Sequence, residues 1–210
     1  PLPENLAFNL LRERSEPVPA RLAGIPIFLV FEVVALGFFL VAAMIFQEKQ
    51  EGVIRALRVS PTGTLGYVLS KTAVFLILSL AYALLLLLLS MGLDVDYPRL
   101  LLLVALSSTM MTMAGIAVAV FFNNISEWFF AGTFVLLIFI LPSVSYAIPS
   151  FAPAVLSWIP SYPVVFGIRE LLFPTGKAGF LLNTTGLLVV YNLAALALAY
   201  WAVQKKLMQA

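Results

Sequence analysis

Long unbroken apolar runs alternate with short polar breaks along this chain. The runs cover residues 22–46, 65–90, 100–122, 128–148 and 181–203. Each is close to the roughly 20 residues a helix needs to cross the hydrocarbon core of a bilayer. Their apolar positions are continuous, whereas the strands of a membrane barrel would alternate. Within lipid, only helices and closed barrels satisfy their own backbone groups. The pattern therefore predicts an all-α polytopic membrane bundle with five visible spans.

The breaks define the remaining elements. Residues 1–21 are polar and read as an external segment, in which a stretch at 5–14 can place Leu6, Leu10 and Leu11 on one helix side before Pro17 and Pro19 break it. A loosely held, solvated tail is the competing reading. Residues 91–99 form a turn carrying Asp94, Asp96 and Pro98. The NNISE turn at 123–127 offers Asn124 or Ser126 as the cap of the next helix, and Glu127 suits that helix's positive end. Trp128 is expected at the membrane–water interface. Pro142 should kink or end the fourth span. Prolines at 142, 149, 153, 160, 163 and 174 leave the segment between the fourth and fifth spans too broken to cross the bilayer. Short external helices, interfacial or re-entrant, are expected across 149–179, one of them near 164–173.

Composition agrees with a membrane domain. The chain is 62% hydrophobic and 10% charged, against the roughly 25% charged residues of a soluble domain. It contains no cysteine and no histidine, which excludes disulfides, thiolate metal sites and imidazole catalysis. No catalytic residue and no metal site is predicted. A net charge of +2 gives no footing for nucleic-acid binding.

One polar stretch stands apart. Residues 47–71, QEKQEGVIRALRVSPTGTLGYVLSK, carry Glu48, Lys49, Glu51, Arg55, Arg58 and Lys71 between two apolar runs. On a helical wheel Glu48, Glu51, Arg55 and Arg58 share one side, and Val53, Ile54 and Leu57 the other. Glu51 and Arg55 form a favourable i,i+4 pair, worth a few tenths of a kcal/mol. Pro61 stops the helix and Gly63 lets the chain turn. The expected product is a short amphipathic rod within 47–61, tied at both ends to membrane helices. Such a rod can transmit a push, or it can be a passive interfacial connector.

Inside the spans, four polar residues are candidates for a substrate pathway: Glu32, Ser108, Thr112 and Asn192. Glu32 lies on the order of 10 Å below the start of its span at ~1.5 Å rise per residue. A carboxylate there must be protonated, paired or facing water, so a pathway role and a structural hydrogen bond are both open. Ser108, Thr112, Gly115 and Ala119 recur at spacings of four, three and four and so share one helix face. Close helix packing is the favoured reading of that stripe, and a pathway the minority one.

Five spans place the termini on opposite sides. The side holding the 47–71 loop and the C-terminus carries Lys49, Arg55, Arg58, Lys71, Lys205 and Lys206; the other carries Arg12, Arg14, Arg21, Arg99, Arg169 and Lys177. The positive-inside count is tied. Setting aside the basic residues of the tail, Arg12 and Arg14, favours the loop side as cytoplasmic.

Glu48, Glu51 and Gly52, then Leu57, Pro61 and Lys71, resemble the signature of ATP-binding-cassette type-2 permeases. In that family an acidic pair and a glycine open a short coupling helix, a leucine and proline close it, and a lysine marks the next span. NNISEW and the proline-rich segment before the last span look like the small drug-export permeases of this family, of the fluoroquinolone type. The resemblance covers nearly the whole chain. It implies an ATPase-subunit contact at Glu48, Glu51, Gly52, Arg55, Leu57, Arg58 and Pro61. It also implies a plasma-membrane (inner-membrane) location, a second permease chain, identical or paralogous, and a substrate path along the seam between the two. Two departures stand out. Val53-Ile54-Arg55 occupies the place of the family's Thr-Leu-Glu, and five spans appear where the family has six, so the first helix is expected to be missing from this chain, a true five-span protein being the alternative. No GxxxxGK[ST] motif is present; Pro174-Thr175-Gly176-Lys177 lacks both the first glycine and the final hydroxyl. ATP and magnesium are thus expected in separate ATPase subunits. An ATP-independent transporter or channel, a membrane scaffold, and export of a lipid or glycan are the alternatives.

Overall fold

The computed structural model describes residues 20–59, 61, 63–93, 95–151, 153–174 and 179–208, and every regular element among them is helical. Residues 1–19 of the expected external segment, the Asp94 position and residues 175–178 lie outside this set.

A short turn, α1 (Ala20–Ala23), leads into α2 (Ile25–Ala35), a π-helical turn (Leu36–Leu40) and α3 (Val41–Gln50). Together Ile25–Gln50 make one membrane-length helix. The six-residue α4 (Val53–Arg58) comes next, then α5 (Gly63–Met91), α6 (Tyr97–Ala119) and α7 (Ile125–Ala147). A 3₁₀ turn (Ala154–Trp158) and α8 (Ser161–Leu172) precede α9 (Phe180–Val203), which continues as a π turn through Met208. Five of these helices are long and apolar enough to cross a membrane, at 25–50, 63–91, 97–119, 125–147 and 180–208. The molecule is an all-α, multi-pass membrane bundle.

The chain winds around α6, the most buried span, which packs against α9, α5, the first span and α8. Its small-residue stripe explains the closeness. A Cβ on Gly115 would stand 2.8 Å from the Phe38 carbonyl oxygen and 2.7 Å from Val41 Cγ1. One on Gly37, inside the π turn, would stand 2.8 Å from Thr112 Oγ1. Only glycine allows these two backbones to approach so far, the usual device where helices associate without a hydrophobic driving force.

Capping follows the local chemistry. Asn124 Oδ1 accepts from the Glu127 N–H at 2.9 Å, and Glu127 reaches back to the Asn123 N–H at 3.2 Å. This reciprocal box selects Asn124, not Ser126, as the cap of α7. Asp96 caps α6, with Pro98 in the first turn, where its missing N–H costs nothing.

Three expectations are narrowed. Pro142 does not end its helix, which runs on to Ala147. Nearby, the Ser161 hydroxyl of α8 donates to the Phe139 carbonyl at 2.6 Å, giving a backbone acceptor beside the proline a partner from another helix. Trp128, near the start of α7, turns its ring into the bundle. It is 1% exposed and packs on Phe38, Phe39 and Phe46 of the first span, over the open side of Gly132. Finally, of the two forms expected for this segment, interfacial or re-entrant, α8 is packed inward: Val164, Val165, Gly167, Ile168 and Leu172 are buried against α6, α7 and α9. Gly167 meets Leu103 and Thr184 there.

Candidate functional site

The 47–71 stretch lies at the end of the bundle where the first and second spans meet the C-terminal π turn. The single rod expected from 48 to 58 is in fact two elements. The first span continues through Gln50, and the chain then breaks at Gly52, whose φ of 75° is left-handed. Glycine adopts that conformation without a Cβ penalty. The break separates Glu51 from Arg55, so the i,i+4 pair does not form; Gln47 Nε2 donates to Glu51 Oε1 at 2.8 Å instead.

Glu48 consequently belongs to the root of the first span, not to the short helix. Its carboxylate pairs with Lys71 Nζ and accepts from the Tyr67 hydroxyl at 2.8 Å. Lys71 is only 8% exposed, and its ammonium lies 5.4 Å from the centre of the Tyr67 ring. Tyr67 and Lys71 are four apart on α5, so both reach the same neighbouring helix. This cluster clamps the roots of the two spans that carry the loop. Next to it, Lys49 Nζ donates to the carbonyls of Val120 and Phe122 at 3.1 and 2.5 Å. It thereby places a cation on the negative end of α6.

Between these clamps sits α4. Ile54 is buried and Leu57 half-buried toward the bundle, while Val53, Arg55, Arg58 and Val59 are exposed. Val53 thus parts from the apolar face assigned to it on the wheel. Arg58 Nε donates to the Leu207 carbonyl at 2.7 Å, tying α4 to the C-terminal π turn. The Thr64 hydroxyl bonds to Gln204 Oε1 from the start of α5. Pro61 is exposed, and Gly63 has a positive φ of 62°. Of the residues assigned to a partner contact, Gly52, Arg55, Leu57, Arg58 and Pro61 lie on or beside α4; Glu51 precedes it and Glu48 turns into the bundle.

The four pathway candidates are not brought together. Ser108 and Thr112 are wholly buried in contacts within the chain. Ser108 Oγ donates to Ser79 Oγ at 2.8 Å, and Thr112 packs on Gly37. The Asn192 amide is fully used: it donates to the carbonyls of Leu106 and Leu188 at 2.8 Å each and accepts from the Thr109 hydroxyl at 2.6 Å. Hydrogen bonds of this kind join spans. Glu32 differs. It is half-exposed, lies next to the exposed Phe31, and is within electrostatic reach of Tyr82 on α5.

Sequence reasoning missed the partners of these groups. Tyr67 was detectable as the residue one helical turn from Lys71. The Lys49 and Arg58 contacts join residues 71 and 149 positions apart, and no local signal marks them.

The profile of the Fluoroquinolones export permease protein family matches residues 13–207, nearly the whole chain. The chain belongs to this family. Two curated relatives, both from Mycobacterium tuberculosis and both named fluoroquinolones export permease protein, come from strain CDC 1551 / Oshkosh and strain ATCC 25618 / H37Rv. Each is 30% identical over 128 residues, 61% of this chain and 54% of the relative. The aligned part therefore spans about half the length of these curated members of the Fluoroquinolones export permease protein family. No solved structure matches the chain.

Proposed function

We propose that this chain is the membrane-spanning subunit of an ATP-binding-cassette exporter in the plasma (inner) membrane. It moves an amphipathic, drug-like compound outward, and ATP is hydrolysed with magnesium in separate ATPase subunits. The observation carrying this reading is α4, a six-residue helix held outside the spans with Val53, Arg55 and Val59 exposed. Val59 is 87% exposed. An exposed apolar surface beside a cation is what a protein partner can cover. The clamps at Glu48–Lys71 and Arg58–Leu207 link whatever binds α4 to three spans. The names of the mycobacterial relatives support a fluoroquinolone-like substrate.

The substrate path runs along the seam with a second permease chain, and Glu32 lies on it. A half-exposed carboxylate within a span is costly against lipid and becomes tolerable beside water or a partner. The decisive experiment co-expresses the chain with a candidate ATP-binding-cassette ATPase subunit and reverses Arg55 or Glu51 separately (Arg55→Glu, Glu51→Lys). At least one reversal should cut ATPase co-purification at least fivefold while the permease keeps its thermal stability. Unchanged co-purification and unchanged ATPase stimulation in both variants would refute coupling through this loop.

A further inference from the structure

Beneath α4 an open groove of about 590 Å³ separates the short helix from the ends of α6 and α9. Lys49, Arg55, Arg58 and Lys206 line it together with Ile54 and Phe121, and no carboxylate is among its lining residues. None of the four cations forms an ion pair among the described residues. The carboxylates at this end are engaged elsewhere: Glu48 by Lys71 and Tyr67, Glu51 by Gln47, Glu127 by Asn123 and Asn124. Four like charges around one concavity repel one another until an anion occupies it.

The rim indicates which anion. Phe121 and Trp201 are both exposed and stand 6.1 Å apart, ring to ring, where the spans end. Lys206 lies 5.5 Å from the Phe121 ring and Lys205 5.1 Å from the Trp201 ring. Aromatic residues with lysines beside them mark headgroup depth. Basic pockets between spans at this depth suit anionic headgroups. We propose that the groove binds the phosphate of an anionic phospholipid, with the acyl chains descending along α9 beside Phe121 and Trp201. A lipid held there sits between α4 and the C-terminal turn, the two elements that Arg58 joins. The proposal requires only that the bundle lie in a membrane and needs no ATPase partner, although Arg55 serves in both readings.

The test is a binding titration of the purified, detergent-solubilised chain by native mass spectrometry, using phosphatidylglycerol, phosphatidylcholine and inorganic phosphate. Phosphatidylglycerol should saturate one site, with phosphatidylcholine at least tenfold weaker and inorganic phosphate unable to displace the lipid at equal concentration. A cation near the membrane surface contributes about fivefold to anionic-lipid affinity, so Arg55→Gln with Lys206→Gln should weaken binding about thirtyfold. The charge-preserving pair Arg55→Lys with Lys206→Arg should stay within about threefold of the parent and serves as the folding control. Equal binding of the two lipids, or full affinity in the neutral variant, would overturn the proposal. Displacement by inorganic phosphate would make it a soluble-anion site instead. A neutral variant that keeps the lipid but loses a co-purifying protein would make the groove an acidic-protein interface.

Discussion

Replacing either member of the Glu48–Lys71 pair should destabilise the isolated permease, whether or not any partner is present. The side chains are 14% and 10% exposed, so neither charge has bulk water to fall back on. Breaking a buried pair by removing one partner costs about 3–5 kcal/mol. Position at the end of the spans and the Tyr67 hydroxyl, which still serves Glu48, lower this expectation to about 2–3 kcal/mol for Lys71→Met. Glu48→Met should cost a similar amount, because Lys71 is then left with only the Tyr67 ring. The double variant leaves no orphan charge. It should be no less stable than either single variant, which implies a coupling energy of about 2–3 kcal/mol. On the scale of soluble domains this size, each single change lowers the melting temperature by roughly 4–12 °C. Thermal unfolding in detergent, read by loss of the monodisperse size-exclusion peak, measures all four corners of the cycle. Single variants melting within a degree of the parent, or additive losses in the double variant, would refute the buried clamp. Glu48 would then be free to contact a partner, and Glu48→Met should lower ATPase co-purification with stability unchanged.

Gly115→Ala forces a methyl group into the Phe38 carbonyl and Val41 and should cost about 1–3 kcal/mol, measured by the same melting assay. Asn192→Leu removes three hydrogen bonds between or within α6 and α9; interhelical bonds of this kind average about 0.6 and reach about 1.7 kcal/mol, so a loss of about 1–2 kcal/mol with efflux retained is expected. Arg58→Ala releases the Leu207 carbonyl, and hydrogen exchange should quicken at residues 204–208 while the core of α6 keeps its protection. Glu32→Gln should change the rate or pH dependence of efflux in reconstituted vesicles, and an unaltered profile would return Glu32 to a structural role.

The spans were legible because length and continuity of apolar residues suffice in lipid, and each observed helix lies within a few residues of its apolar run. The NNISE cap and the Asp96–Pro98 start were readable for the same reason: their chemistry is local. The break at Gly52 escaped because a helical wheel assumes one unbroken helix. The burial of Trp128 was not readable because interfacial preference says nothing of a neighbour's pocket, and here three phenylalanines and a glycine accept the ring. Pro142 stays within its helix, and no local signal showed that α8 would pack beside it and bond to the Phe139 carbonyl from another part of the chain. Of the candidate site, Ser108 and Thr112 followed the packing reading of their stripe. The ion pair at Glu48 required knowing that two charges 23 positions apart meet.

The clamps around α4 also determine where the protein can yield. At ~1.5 Å per residue the helix is only about 9 Å long, too short to bend usefully. Both span roots beside it are pinned to each other, and its far end is pinned to the C-terminal turn. A load on α4 is therefore shared by the first, second and fifth spans rather than absorbed in the loop. Compliance must lie further along those helices. The first and the fifth each contain a widened π turn, at Leu36–Leu40 and Gln204–Met208. The first, holding Gly37, lies midway along its span; the second is the turn to which α4 is tied, so only the first lies away from the clamps.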